Sequence, residues 1–131
     1  TDLSRFSTAK LMTVSNRATG QWGEVVASEY LTEHGYIILD RNVHTPHGEI
    51  DLVARQGSVT VFVEVKTRSS NNFAYPEQSV TPRKQQCMLK AAEQYFSQHP
   101  DSPETWQFDI IAITRRPGGA PWMEQFENVI S

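Results

Sequence analysis

The sequence predicts an α/β fold, a mixed five-stranded β-sheet flanked by helices. Two observations carry that expectation. Apolar residues recur at helical spacing in two separate stretches, and five other runs are rich in β-branched and aromatic residues. In chain order they read helix, three strands, helix, two strands, which leaves each helix a sheet face to cover. The chain of 131 residues is long enough for one domain with one core.

Residues 1–15 show no sustained period and are expected to form a flexible N-terminal arm, with 16–131 as a single domain. The first helix is expected over about 17–34. Val26, Ala27, Tyr30 and Leu31 make its apolar stripe, Asn16 or Thr19 can cap its start, and Gly35 suits its end. Glu24 falls on the edge of that stripe. A first strand follows over 36–43, then a turn from His44 to His47. Strand two is expected over Glu49–Ala54 and strand three over Val59–Thr67, around a turn at Gly57. The polar stretch from Thr67 to Val80 is long enough to be a mobile or functional loop. Thr81 caps the second helix and Pro82 fits its first position. Met88, Leu89, Ala92, Tyr95 and Phe96 form its stripe. Strand four is expected over Trp106–Thr114 and a last strand over Trp122–Ile130, with Trp122, Phe126 and Ile130 on one face.

Composition narrows the function. Twelve Lys and Arg stand against fifteen Asp and Glu, a net charge of −3. A nucleic-acid binder usually shows a basic face, so the balance argues mildly against one. Lys66 with Arg68, Arg83 with Lys84, and Arg115 with Arg116 are local basic groups, of a kind more often solvated than bound to phosphate. No apolar run is long enough to span a membrane, and no basic-then-apolar signal segment is present. The lone Cys87 excludes an internal disulfide and a multi-cysteine zinc site. A reduced, cytoplasmic setting is the expectation.

The chemistry concentrates in Gly48–Arg68, GEIDLVARQGSVTVFVEVKTR, where Glu49, Asp51, Glu64 and Lys66 interrupt apolar text. Strand side chains alternate faces, so Val59, Val61, Val63 and Val65 oppose Glu64 and Lys66. A two-residue loop at Gly57 and Ser58 sets Asp51 opposite Glu64 and Glu49 opposite Lys66. A four-residue loop keeps the same face but sets Glu49 opposite Glu64. Facing carboxylates repel across a ladder. A divalent cation reverses the sign of that interaction, because Mg²⁺ takes carboxylate oxygens and keeps waters and phosphate in its shell. Asp51, Glu64 and the Val65 carbonyl are candidate ligands, with Glu24 approaching from the first helix. Lys66 would then position a water or offset charge on phosphorus. The plain alternatives are a Glu49–Lys66 ion pair, Asp51 capping a turn, and Glu24 as a helix-start acid.

GEIDLVAR followed by VFVEVKTR resembles the PD-(D/E)xK nuclease motif. More closely, the chain resembles the small, uncharacterised bacterial YraN-like family, which has a restriction-endonuclease-like core and is similar to archaeal Holliday-junction resolvases. The resemblance extends over about residues 20–115, taking in GEVVASEYLTEHGYIILDRN, SVTPRKQQ and FDIIAI. It implies Asp51 and Glu64 binding Mg²⁺ or Mn²⁺, a catalytic Lys66, and Glu24 as the helix-one acid. It also implies an extra polar site residue at Gln78, and resolvase-like relatives imply a homodimer. Ile50 precedes Asp51 in place of the motif's proline, and Gln107 stands where an arginine is frequent. Asp109 reads as structural.

The remaining polar and aromatic residues read as bland. His44 and His47 flank the loop into the acidic strand and are expected to be exposed, within reach of a phosphate. Cys87 is a helix residue without chemistry. Trp22, Trp106 and Trp122 are expected in the core rather than as base-stacking platforms.

The leading expectation is a metal-dependent endonuclease hydrolysing DNA, on branched or structured DNA. Lys66, Arg68, Arg83 and Lys84 would steady the backbone by shape rather than by base readout. Two alternatives are a non-catalytic nucleic-acid-binding module of the same fold, and an adaptor whose acidic face binds a protein.

Overall fold

The computed structural model describes residues 6–69, 80–102 and 105–130, with side chains from residue 20 onward and excluding that of Ser69. The elements are α1 (Phe6–Glu33), β1 (Ile37–Thr45), β2 (Gly48–Gln56), β3 (Val59–Ser69), α2 (Pro82–Gln98), β4 (Trp106–Arg115) and β5 (Trp122–Phe126). The five strands form one mixed sheet in the order β1-β2-β3-β4-β5. Only β3 and β4 run parallel, joined by the α2 crossover; the other neighbours are antiparallel. This is the mixed α/β sheet expected, and it is consistent with a restriction-endonuclease-like core.

The helices cover opposite faces. Under α1 lie Leu52, Ala54, Val61, Val63, Ile111 and Ile113 with Ala27 and Leu31. Under α2 lie Ile50, Val53, Phe62 and Phe108 with Met88, Ala91, Ala92 and Tyr95. Phe62 anchors this second layer, with ring centroids 5.0 Å from Phe108 and 5.5 Å from both Tyr95 and Phe96. Trp106 joins the same cluster, 5.8 Å from Phe62.

Gly23 lets α1 sit close to the sheet. A Cβ there would collide with the Thr67 hydroxyl, so the helix approaches β3 at the turn that carries Glu24. The helix also begins at Phe6, inside the stretch expected as a loose arm. Residues 6–16 contain neither proline nor glycine, and Ala9, Lys10, Leu11 and Met12 are good helix formers. An irregular apolar period does not prevent a helix when nothing breaks it. Residues 1–5 lie outside the described residues.

Thr81 caps α2 as expected, its hydroxyl accepting from the Lys84 amide at 3.2 Å, with Pro82 at the start. The last strand stops at Phe126 rather than reaching Ile130. Asn128 adopts φ 53 and Val129 donates its amide to the Phe108 carbonyl, so the chain turns and lays Val129 and Ile130 on the core under α2. Asp109 is structural, fully buried and accepting from the side chains of Gln107 and Gln125 and from the Asn128 amide, each at 2.9 Å. Gln107 is a neutral donor to this buried carboxylate.

Candidate metal and active site

The β2–β3 hairpin turns through Gly57 and Ser58, with Gln56 paired to Val59. Of the two loop lengths considered, the shorter is observed. The paired register runs only as far as Leu52 and Val63. Beyond it the Asp51 carboxylate takes over, with Oδ2 accepting from the Val65 amide at 2.8 Å. One residue's N–H and C=O point to the same side of a strand, so the Val65 carbonyl also faces the β2 side.

Strict alternation fails at Asp51. Ile50 lies under α2 with Val53, whereas Leu52 and Ala54 lie under α1. The pleat therefore changes phase between Ile50 and Leu52. On β1 the facing residue is Asn42, which falls between the pairs Arg41–Leu52 and Val43–Ile50 and has φ 51. Asparagine tolerates that left-handed conformation better than most residues. The acids are consequently not all on one face, as the sequence reading had them. Glu49 turns toward α1, Glu64 and Lys66 stay on the α2 side, and Asp51 stands at the break.

One carboxylate oxygen each from Glu24, Glu49 and Asp51 lie within 4.8 Å of one another. Glu24 is half-buried and hydrogen-bonded by the Asn42 side chain; burial and the nearby Glu49 raise its pKa, against that bond and Arg41. Asp51 is pushed up to about 7, first by burial and then by the negative charges of Glu24, Glu64 and Glu49, with the Val65 amide opposing. Glu49 was read as a cross-strand partner of Lys66. It instead lies 3.1 Å from the exposed His44 on β1, its register partner there.

Glu64 is held from the other side. Lys84 of α2 approaches Oε1 at 3.1 Å and Lys66 approaches Oε2 at 3.7 Å. Oε2 is buried and makes no hydrogen bond. His47, Glu49, Asp51, Glu64, Lys84 and Cys87 line part of a cavity of ≈ 30 Å³, room for about one water-sized ligand. The structure thus brings Glu24, Asp51, Glu64, Lys66 and Lys84 together. Arg83 is exposed on α2. Arg68 lies further along β3, its Nε 3.5 Å from the Thr114 hydroxyl. Gln78, with most of the expected loop, lies outside the described residues.

These residues fit a hard divalent cation. Three converging carboxylates, one of them (Asp51) with its pKa raised by burial and by neighbouring negative charge, and a buried Glu64 oxygen without a hydrogen bond close by, are the kind of donor set such an ion takes. Glu24, Glu49 and Asp51 would hold it, with Glu64 adjacent.

The model of the uncharacterised protein family UPF0102 matches residues 23–113. The chain belongs to that family. A UPF0102 protein of Syntrophomonas wolfei is 47% identical over 103 residues, covering 79% of this chain and 90% of the relative. Those of Moorella thermoacetica and Geobacter metallireducens are 39% and 41% identical, covering 90% and 89% of this chain and 92% and 95% of theirs. The family carries no named activity. Its matched span runs from Gly23, the helix's contact with the sheet, to Ile113 on β4, and so encloses every described residue of the acidic cluster.

Two members of this UPF0102 site were missed by sequence reasoning. Asn42 gave no signal, since it falls within the run expected as the first strand. Glu49 was visible as a charge in an apolar run but was assigned to the wrong neighbour.

Proposed function

We propose that the protein is a metal-dependent endonuclease acting on DNA, with Mg²⁺ or Mn²⁺ held by Glu24, Glu49 and Asp51. The observation that carries the reading is the convergence of those carboxylates at the point where β2 and β3 part, beside the Glu64–Lys66 pair. A divalent ion there supplies Lewis acidity and lowers the pKa of a bound water. Asp51 orients the ligand set through its bond to the Val65 amide. Asn42 fixes the Glu24 carboxylate. Glu64 Oε2 can accept a proton or hold a water, and Lys66, half-exposed beside it, offsets charge developing on a phosphate. Lys84 and Arg83 at the start of α2 would steady flanking phosphates.

The test is incubation of junction, flap and linear DNA with Mn²⁺ or Mg²⁺. Wild type is expected to cut, and Glu64→Ala and Lys66→Ala to lose cutting by more than about a hundredfold while staying folded. Cleavage undiminished in both variants would refute the assignment. Lys84 already neutralising Glu64 favours, as a second reading, a module that binds nucleic acid without turnover; it predicts binding with no product under any metal.

A further inference from the structure

Phe62 packs under α2, so alternation along β3 puts Glu64, Lys66 and Arg68 on that same face. Arg68 is in register with Thr114 on β4, and Thr114 with Trp122 on β5. The Arg68–Thr114 side-chain contact agrees with a shared face. Met123 packs into the core under α1, which turns its neighbour Trp122 the other way. Arg68, Thr114 and Trp122 therefore form one row across the sheet, toward the end of β3 beyond the acidic site.

Trp122 is not a core residue, contrary to the sequence expectation. It is 53% exposed. The Arg116 guanidinium lies 5.5 Å from its ring centroid and is held by its Nε donating to the Ala120 carbonyl at 3.2 Å. Another cation–π pair, Arg115 over Trp22 at 4.3 Å, stands at the same end of the sheet but on its α1 face, away from this row. Glu124 lies one row inward, opposite Ala112. An exposed indole with a guanidinium at 5.5 Å and a second one two strands away in the same row offers a π-face for a base and cations for neighbouring phosphates. From Glu64 to the Arg68 row is about 13 Å along the strand, and from Arg68 to Trp122 about 10 Å across it. By these spacings the indole lies a few nucleotides' length from Glu64.

We propose that Trp122, with Arg116 and Arg68, is a stacking platform for an unpaired base of a nucleic-acid strand. The proposal rests on the nucleic-acid reading above and narrows the substrate to DNA with a single-stranded or splayed nucleotide near the cut. A purely double-stranded ligand keeps its bases stacked inside and offers the indole none.

Binding is measured by fluorescence anisotropy in chelator, so that nothing is cut. The probes are a labelled oligothymidine strand of about 15 nucleotides and a blunt duplex of the same length. Wild type is expected to bind the strand more tightly than the duplex, with quenching of tryptophan emission. Trp122→Ala should weaken strand binding about tenfold, Arg116→Ala should weaken it severalfold, and Trp122→Phe should retain most of it. Trp122 lies at the exposed edge, so circular dichroism should show every variant folded. Strand binding unchanged in folded Trp122→Ala, or duplex bound as tightly as the strand, would overturn the platform. Cleavage dependent on Glu64 with no Trp122 effect refutes the platform alone. Binding through Trp122 with no cleavage in any metal refutes the nuclease alone.

Discussion

Asp51 concentrates the electrostatic tension of the site. Its carboxyl is raised from 3.8 to about 7, so the metal-free native state keeps a proton that the unfolded chain gives up. The unfolded state then binds fewer protons between those values, and stability falls as pH rises. The stabilising contribution is complete below about pH 4 and is lost as pH passes 7. The unfolding free energy of chelated protein from urea titrations should therefore decline from pH 5 to pH 8, by an amount on the order of a few kcal/mol. Asp51→Asn should flatten that decline. A metal must displace the same proton, so Mn²⁺ affinity should weaken about tenfold per unit below pH 7. At Glu64, Lys84 acts as a competing counter-ion at 3.1 Å. Lys84→Ala leaves the site more negative and should tighten Mn²⁺ binding severalfold while weakening DNA binding, read by calorimetry and anisotropy. Little of this was legible in advance. The residue types were plain, but which cation faces which acid depends on the pleat phase, which single letters do not carry.

At the scale of elements, the hairpin was the most legible part. Gly57 marked the turn, and period-two text fixed both strands and the face they share, because a slip by one residue would bury charge. The choice between a two- and a four-residue loop is settled only by the structure, where Gln56 pairs with Val59. The same period misled at Asp51. A sequence read as continuous alternation contains no sign that the pleat changes phase, and the paired irregularity at Asn42 lies on another strand. Helix α1 was half legible. Its stripe from Val26 to Leu31 was found, while its start at Phe6 was missed because helix-permissive residues need no amphipathic pattern. Gly23 is where the element meets the site. Gly23→Ala forces its Cβ against the Thr67 hydroxyl, which should cost about 1–3 kcal/mol by overpacking. It should also move Glu24 off the cluster, so thermal melting and Mn²⁺ affinity should both fall. A variant that melts as wild type and binds Mn²⁺ equally would show that the close approach is slack.

Across the whole molecule, charge is sorted rather than absent. The net −3 argued mildly against a nucleic-acid partner, yet Glu24, Glu49 and Asp51 gather at one place, while Lys66 and Arg68 lie on β3, Arg83 and Lys84 at the start of α2, and Arg115 and Arg116 at the end of β4. Fold class was readable because helix and strand periods differ along the chain; the sorting was not, because it needs the sheet order. No helix among the described residues is long and apolar enough to cross a membrane. If these cations contact phosphates as the proposed function requires, binding to DNA should fall with the logarithm of salt concentration, steeply enough to lose about tenfold or more between 50 and 200 mM. Salt-independent binding would place the contact elsewhere.

Titration of Mn²⁺ into chelator-stripped protein at pH 8, followed by calorimetry for wild type and Asp51→Asn, reaches the central point most directly. A saturable site in wild type that is lost or weakened at least about a hundredfold in the variant, together with a rise in wild-type melting temperature that grows with Mn²⁺, is the result expected if these carboxylates converge to hold a cation. No saturable heat in wild type at millimolar Mn²⁺, or the same isotherm in both proteins, would contradict it.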